Sequence, residues 1–263
     1  MCDPQDASAL AASTRLATRV ATLLTFAIVL APAVARAAWV KGEFDSGGKP
    51  VTEFHCAPTG AGPFPVVIML HGAGPRGAGN NDFEDWCTSL AEHGYYTEFI
   101  EYYSQTGETL TIDEMAKAMP TCLDEIHSGI DALRQNPAVD SKRVALMGFS
   151  LGAILSLSYA ATYPGEIAAI VEYYGFFPKE LVDRAATLPP ILILHGTADR
   201  VVPVSAATDL DALLSKQGRP HEIEIYPRAQ HAFNFPDAPM YDRSASEDAW
   251  DRAIKFLDTY LKK

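Results

Sequence analysis

Short apolar runs alternate along the chain with longer segments in which apolar residues recur every three or four positions. The continuous apolar run at residues 66–70 is typical of a strand buried on both faces. Residues 120–135 carry one apolar stripe and end before a proline, which is typical of an amphipathic helix. Strands that alternate with helices predict an α/β fold, with a mainly parallel sheet covered by helices on both faces.

The full pattern predicts an edge hairpin followed by alternating strands and helices. The hairpin covers residues 39–56 and turns at Gly47-Gly48. The other predicted strands are 66–70, 95–103, 144–148, 168–173, 191–194 and 221–226. The predicted helices are 82–93, 120–135, 151–163, 204–217 and 244–261. Residues 175–188 have room only for a small lid, so the pattern favours one domain over residues 38–263.

The first 37 residues differ from the rest of the chain. Arg15 and Arg19 precede an apolar run over residues 20–35, and the run ends in an A-x-A pattern closed by Ala37. These features predict a secretory signal peptide over residues 1–37 and a periplasmic or secreted protein. The alternative is a membrane anchor, although the run is short for a span of about twenty residues. After cleavage we expect no stable membrane insertion.

Charge and cysteine content narrow the candidate partners. The formal net charge of −12 disfavours nucleic acid and anionic lipid as partners. Cys56, Cys87 and Cys122 follow the predicted signal peptide and show no C-x-x-C spacing, so no zinc or redox centre is predicted. One disulfide would be compatible with export, with Cys87–Cys122 as the candidate pair; three free thiols are the alternative.

The segment 148–152 reads G-x-S-x-G between a predicted buried strand and a predicted helix. A serine at such a turn needs a strained backbone, and close packing around it favours glycine at Gly148 and Gly152. The following helix would direct free backbone N–H groups towards the serine oxygen. Ser150 is therefore a candidate nucleophile, although a G-x-S-x-G can also occur by chance in a turn without catalysis.

Two further residues complete the candidate site. Asp199 follows the predicted strand 191–194, and His231 follows the predicted strand 221–226. The order Ser150, Asp199, His231 is that of α/β-hydrolases, and all three residues follow the carboxyl ends of strands. We expect Ser150 to attack an ester carbonyl, His231 to transfer the proton, and Asp199 to orient the imidazole.

Two backbone N–H groups are the candidate oxyanion hole. Leu151 begins the predicted helix, and Ala73 lies in the small-residue loop after the strand 66–70.

Two further histidines, His71 and His195, end strands beside glycines and are interpreted as loop-holding residues rather than catalytic ones. The sequence shows no H-E-x-x-H, Walker or strand-following G-x-G-x-x-G motif, so no metal, nucleotide or other cofactor is predicted.

With these motifs, residues 51–261 resemble the dienelactone hydrolase family. The resemblance rests on segments 66–74, 101–103, 148–152, 173–175, 195–203 and 231–233. It implies cofactor-free hydrolysis by a lightly capped α/β-hydrolase domain. Dienelactone hydrolases proper use cysteine as the nucleophile, whereas this chain has Ser150, which favours ordinary carboxylic esters. Arg76 is interpreted as a solvated loop residue rather than as a ligand for a substrate carboxylate.

The leading hypothesis is a serine hydrolase that cleaves small carboxylic esters, with lactones as a further candidate substrate. One alternative is a serine peptidase of the prolyl-oligopeptidase type, which shares the core fold. The other is a non-catalytic binding protein on a hydrolase scaffold. The intact Ser150–Asp199–His231 set favours an enzyme over a binding protein.

Overall fold

The computed structural model describes residues 37–73, 80–102 and 112–262. Its strands are β1 Val40–Ser46, β2 Lys49–Cys56, β3 Phe64–Leu70, β4 Tyr96–Ile100, β5 Val139–Phe149, β6 Ala169–Tyr173, β7 Ile191–Gly196 and β8 His221–Tyr226. Its helices are α1 Asn80–Glu92, α2 Ile112–Leu133, α3 Leu151–Thr162, α4 Ser205–Lys216 and α5 Arg243–Leu261. A 3₁₀ segment, Lys179–Thr187, lies within the predicted lid. The predicted signal peptide lies outside the described residues, except for Ala37.

The eight strands form one sheet in the order β1-β2-β4-β3-β5-β6-β7-β8. Strands β1 and β2 form an antiparallel edge hairpin, and β2 also pairs antiparallel with β4. The remaining pairs, β4-β3-β5-β6-β7-β8 in sheet order, are all parallel. Parallel strands end at the same edge of a sheet, so the loops after β3, β5, β7 and β8 share that edge. This topology confirms the predicted α/β-hydrolase architecture.

Two apolar cores cover the two faces of the sheet. Helices α2, α3 and α4 pack on one face with residues such as Ile68 and Leu146. Helices α1 and α5 pack on the other face with residues such as Met69 and Met147. Neighbouring strand residues alternate between the two cores because successive side chains point to opposite faces. Both faces are thus buried, which explains the continuous apolar strands.

Helix α2 begins earlier than the sequence predicts. The prediction placed its start at Pro120, but the helix begins at Ile112 and contains Pro120 in its interior. Proline removes one helical hydrogen bond and is normally found near the start of a helix. Here the preceding turn buries Ala118 and packs Met115 and Met119 against the α2-side core. Tertiary packing therefore outweighs the local preference of proline.

The predicted cysteine pairing is wrong. Cys87 forms a disulfide with Cys56, and Cys122 is a buried free thiol. Cys87 lies on α1 and Cys122 on α2, and these helices pack on opposite faces of the sheet. The sheet therefore separates the two residues, whereas Cys56, at the end of β2, faces α1.

Candidate active site

Ser150 lies at a sharp turn between β5 and α3. Its backbone has φ 55° and ψ −113°, a conformation that is strained for a residue with a side chain. A Cβ atom added at Gly148 would lie 2.3 Å from the Gly152 carbonyl oxygen, and one added at Gly152 would lie 2.0 Å from the Leu70 carbonyl oxygen. Only glycine fits at these two positions, which is the packing expected around an exposed serine oxygen.

The loops after β7 and β8 bring Asp199 and His231 to this serine. His231 Nε2 lies 3.0 Å from Ser150 Oγ, and His231 Nδ1 lies 2.7 Å from Asp199 Oδ2. A carboxylate only accepts hydrogen bonds, so Nδ1–H donates to Asp199 and Nε2 accepts from the serine hydroxyl. Three residues distant in sequence thus form one hydrogen-bonded chain at the carboxyl edge of the sheet.

Asp199 is buried and held as an anion. Its Oδ1 accepts from the backbone N–H groups of Val201 and Val202, both at 2.8 Å. Burial opposes the charge, but hydrogen bonds from His195, His231 and Val202 outweigh it and hold the pKa of Asp199 well below its usual range. The carboxylate is therefore charged at neutral pH and available to a protonated His231.

Tyr174 fixes the other side of the imidazole. Its ring meets the ring of His231 edge-on, with centroids 4.7 Å apart, and its hydroxyl donates to Asn234 Oδ1 at 2.6 Å. Tyr174 has φ 45° and Ala232 has φ 60°, so non-glycine residues with positive φ lie on both sides of His231. Such strain concentrates where surrounding structure enforces a functional geometry. Tyr174 and Asn234 are not among the site residues predicted from the sequence.

The loop after β3 approaches Ser150 closely. A Cβ atom at Gly72 would lie 3.4 Å from Ser150 Cβ, and Ala73 follows directly. The Tyr102 hydroxyl donates to the His71 carbonyl oxygen, and the two rings stack with centroids 4.3 Å apart. These contacts hold the backbone that leads to Ala73. Arg76 lies outside the described residues.

Leu151 is the first residue of α3, so its N–H has no acceptor within the helix. This N–H group adjoins Ser150, where an oxyanion would form. It is therefore the better defined of the two oxyanion-hole candidates.

An aromatic wall backs the turn. Phe149 stacks on Trp86 with centroids 4.9 Å apart, and Phe235 packs edge-on to both. Phe149 is buried, whereas Trp86 and Phe235 are partly exposed. Phe149 directly precedes Ser150, so the partly exposed rings that pack on Phe149 supply apolar surface near the turn. Across residues 37–73, 80–102 and 112–262, no group of three or more His, Cys, Asp or Glu side chains is placed to hold a metal ion.

Comparison with known proteins agrees with this architecture. The chain is 28% identical to a protein of Methylorubrum extorquens named "Putative carboxymethylenebutenolidase", over 97% of each chain. It is 30% identical to a protein of the same name from Yersinia pestis, over 74% of this chain and 78% of the relative. The crystal structure of a dienelactone hydrolase homologue from Klebsiella pneumoniae superposes with a TM-score of 0.72 at 27% identity, covering 85% of this chain and all of the other.

Peptidases share the fold at lower identity. The acylaminoacyl peptidase of Pyrococcus horikoshii superposes with a TM-score of 0.72 at 17% identity. The match covers 88% of this chain but only 43% of the peptidase, so that likeness extends to the fold alone. In contrast, the family model "Dienelactone hydrolase family" matches residues 51–261. This chain is a hydrolase that acts on ester bonds, and it belongs to the dienelactone hydrolase family.

Proposed function

We propose that this protein cleaves carboxylic esters through an acyl-enzyme on Ser150, with His231 as the proton-transfer group and Asp199 as its orienting anion. The observation that carries the proposal is the hydrogen-bonded chain Ser150–His231–Asp199 at a strained strand-to-helix turn. A serine hydroxyl is a weak nucleophile, and a histidine at 3.0 Å can remove its proton as attack begins.

The proposed acylation proceeds through a tetrahedral intermediate. Ser150 Oγ bonds to the ester carbonyl carbon while His231 Nε2 takes the hydroxyl proton. The carbonyl oxygen becomes an oxyanion, which the N–H groups of Leu151 and Ala73 would stabilise. When the carbon–alcohol bond breaks, the alcohol leaves with the proton from His231. Ser150 then carries the acyl group.

Deacylation repeats the sequence with water as the nucleophile. His231 takes a proton from water while the water oxygen bonds to the acyl carbon. This forms a second tetrahedral intermediate, which then collapses. Ser150 leaves with the proton from His231, and the carboxylic acid is released. Throughout, Asp199 stabilises the transient imidazolium, and the edge-on contact with Tyr174 limits rotation of the ring.

Serine and its surroundings favour ordinary esters, with lactones as a second substrate class. The partly exposed rings of Trp86 and Phe235 suit an apolar acyl or alcohol group. A panel of p-nitrophenyl esters, small lactones and peptide anilides would distinguish an esterase, a lactonase and a peptidase. We expect turnover of esters; cleavage of peptide anilides alone would favour a peptidase.

Reaction with a fluorophosphonate probe tests the nucleophile. We expect stoichiometric labelling of the mature protein, with the label on the peptide that contains Ser150. An unlabelled protein that also turns over no ester would favour a binding protein on a hydrolase scaffold. Turnover that EDTA abolishes and added metal restores would contradict hydrolysis without a cofactor.

Export remains part of the proposal. The disulfide Cys56–Cys87 supports an oxidising compartment such as the periplasm, because disulfides are rare in reducing cytosol. Among the described residues, no helix is long and apolar enough to cross a membrane. Mass spectrometry of protein recovered from periplasm and medium would test the prediction: a mature chain that begins at residue 38 is expected.

A further inference from the structure

A carboxylate interrupts the apolar strand β6. Glu172 is completely buried on the face of the sheet covered by α3. Its Oε2 accepts from the Gly175 N–H at 2.8 Å, whereas its Oε1 is buried with no hydrogen-bond partner in the described part of the chain. A buried oxygen without a donor is costly, and such groups call for a physical explanation.

The neighbouring strand brings His195 towards this carboxylate. Glu172 is paired in register with Ile193, and His195 follows two residues later, on the same face of the sheet. His195 is also completely buried, and its Nδ1 lacks a hydrogen-bond partner among the residues described. One oxygen and one ring nitrogen, both without partners, thus belong to diagonal neighbours on adjacent strands.

The other nitrogen of His195 is directed at the candidate active site. His195 Nε2–H donates to the Val202 carbonyl oxygen at 2.9 Å, and Nε2 also lies 3.4 Å from Asp199 Oδ2. Asp199 therefore has an imidazole on each side, the buried His195 and the partly exposed His231. The state of His195 bears directly on the anion that would stabilise protonated His231.

Both members of the pair have raised pKa values. Burial raises the pKa of Glu172 to about 7, against the opposing effects of His195 and of the Gly175 N–H. For His195, burial alone would lower the pKa, but the Asp199 and Val202 hydrogen bonds and the charge of Glu172 raise it overall. Both shifts favour retention of a proton by the pair as the pH approaches neutrality.

Other charged groups around the pair are solvated or already paired. Helix α3 contains no Asp, Glu, Lys, Arg or His, and Tyr174 is the remaining titratable neighbour of Glu172. On α4, Asp209 is exposed and Asp211 bonds to His221. On β8, Glu222 is exposed and Glu224 pairs with Arg252. The charged residues of the 3₁₀ segment are all exposed: Lys179, Glu180, Asp183 and Arg184.

We propose that Glu172 is a positioning residue that holds one proton together with His195, next to Asp199. This arrangement keeps the Nε2–H of His195 directed at Val202 and Asp199. It also adds a second ionisation to the pH dependence of ester hydrolysis. The proposal rests on the proposed function of Ser150. When the pair loses its proton, a net negative charge appears behind Asp199. That charge favours protonated His231, so the catalytic base stays protonated up to a higher pH than it would without Glu172.

The test compares pH profiles of kcat/KM for wild type, Glu172→Gln and Glu180→Gln. Glutamine preserves the shape of Glu172 and can donate to His195 Nδ1, but it removes the ionisation. Glu180→Gln makes the same chemical change at an exposed position on the same side of the sheet. Fluorophosphonate labelling counts the active sites, so that kcat refers to folded enzyme.

We expect the wild-type acid limb to be shallower than a single ionisation, because the proton on the pair and the proton on His231 repel each other. Glu172→Gln should follow a single ionisation, with its midpoint roughly half a pH unit or more lower, the size expected for a unit charge across a partly buried site. Its plateau kcat should stay within roughly tenfold of wild type, and the Glu180→Gln profile should superimpose on wild type. A Glu172→Gln profile with the wild-type slope and midpoint, whatever its plateau, would overturn the proposal.

Nuclear magnetic resonance of the wild-type protein tests the pair without any activity. Long-range ¹H–¹⁵N spectra of the imidazoles, assigned for His195 with His195→Gln, should show Nε2 protonated throughout and an Nδ1 resonance that shifts as the pH falls through neutrality, because Nδ1 then gains a proton or accepts one from Glu172. An Nδ1 resonance that does not shift across that range would refute the proton-holding pair. This measurement remains decisive if Glu172→Gln does not fold or if Ser150 does not react with the probe.

Discussion

Two buried acidic residues, Glu98 and Glu172, lie on strands in opposite halves of the sheet, and their surroundings differ. Glu98 on β4 is paired in register with His55 of β2 and is close to Glu53; we call Glu53, His55 and Glu98 the edge cluster. Glu172 on β6 belongs with His195 and Asp199, which we call the site cluster. His55 bonds to Glu53, with Nδ1 3.1 Å from both carboxylate oxygens.

The contrast shows why burial of an acid does not by itself indicate catalysis. Burial and the nearby Glu53 raise the pKa of Glu98 well above its usual range, which favours its neutral form. In the site cluster, the charge of Glu172 acts on His195, His195 Nε2 lies 3.4 Å from Asp199 Oδ2, and Asp199 bonds to His231. Connection to Ser150, rather than burial, distinguishes the two clusters.

Removal of the nucleophile should have the largest effect. Ser150→Ala should lower kcat by at least about 10³-fold, because it removes the hydroxyl that forms the proposed acyl-enzyme. Ser128→Ala is the matched control on the edge-cluster side of the sheet, where Ser128 Oγ bonds to Ser46 Oγ at 3.0 Å. Steady-state kinetics on p-nitrophenyl esters measures both. Retained turnover in Ser150→Ala would point to a different nucleophile.

Neutralising the orienting carboxylate should have the next largest effect. Asp199→Asn should lower kcat by about 10³- to 10⁴-fold, because an amide can donate to His231 Nδ1 and so favours the wrong tautomer. Glu53→Gln makes the corresponding change in the edge cluster and should leave kcat unaffected. Equal losses in the two variants would remove the distinction between the clusters.

Loss of the disulfide should affect stability rather than chemistry. Cys56 directly follows His55 of the edge cluster, and its bond to Cys87 closes a loop across a separation of 31 residues. Cys56→Ala/Cys87→Ala should lower the free energy of unfolding by about 2–4 kcal/mol in urea titrations. Cys122→Ala is the control for loss of a buried thiol without a cross-link. A double variant as stable as this control would contradict the expected contribution.

The smallest effect should come from the edge acid. Because the pKa of Glu98 is raised from 4.5 in the folded state, its contribution to stability is complete below that pH and is lost as the pH rises through the folded value. Glu98→Gln should therefore raise the urea midpoint relative to wild type more at pH 8 than at pH 4. Glu92→Gln, at an exposed position on α1, should show no such trend. An equal difference at both pH values would contradict a raised pKa.

Sequence patterns predicted most of the fold because both sheet faces are buried. The strand β8 was predicted at residues 221–226, as observed, and most other strand ends were predicted to within three residues. The exception is β5, which begins at Val139 rather than at residue 144. The early start of α2 was missed, since packing of Met115 and Met119 outweighs the helix-breaking tendency of Pro120. The disulfide was missed because linear spacing does not report which face of the sheet a helix covers.

The candidate site could be predicted in part. Ser150, Asp199 and His231 each follow a strand end, and parallel topology brings such residues together. The contacts of Tyr174 and Asn234 depend on loop conformations that the sequence pattern does not determine. Glu172 did leave a signal, since an acid inside an otherwise apolar strand of a two-faced sheet is unusual. The proximity of His195 to Glu172 became visible only through the strand register.

Direct observation of the acyl-enzyme tests the central claim most directly. Protein mixed with a p-nitrophenyl ester would be quenched in acid within the first turnover, digested and examined by mass spectrometry. The account predicts a burst of about one p-nitrophenol per labelled active site, with the acyl group on the peptide containing Ser150 and absent from Ser150→Ala. Turnover without a burst or acylated peptide, or acylation at another residue, would contradict it.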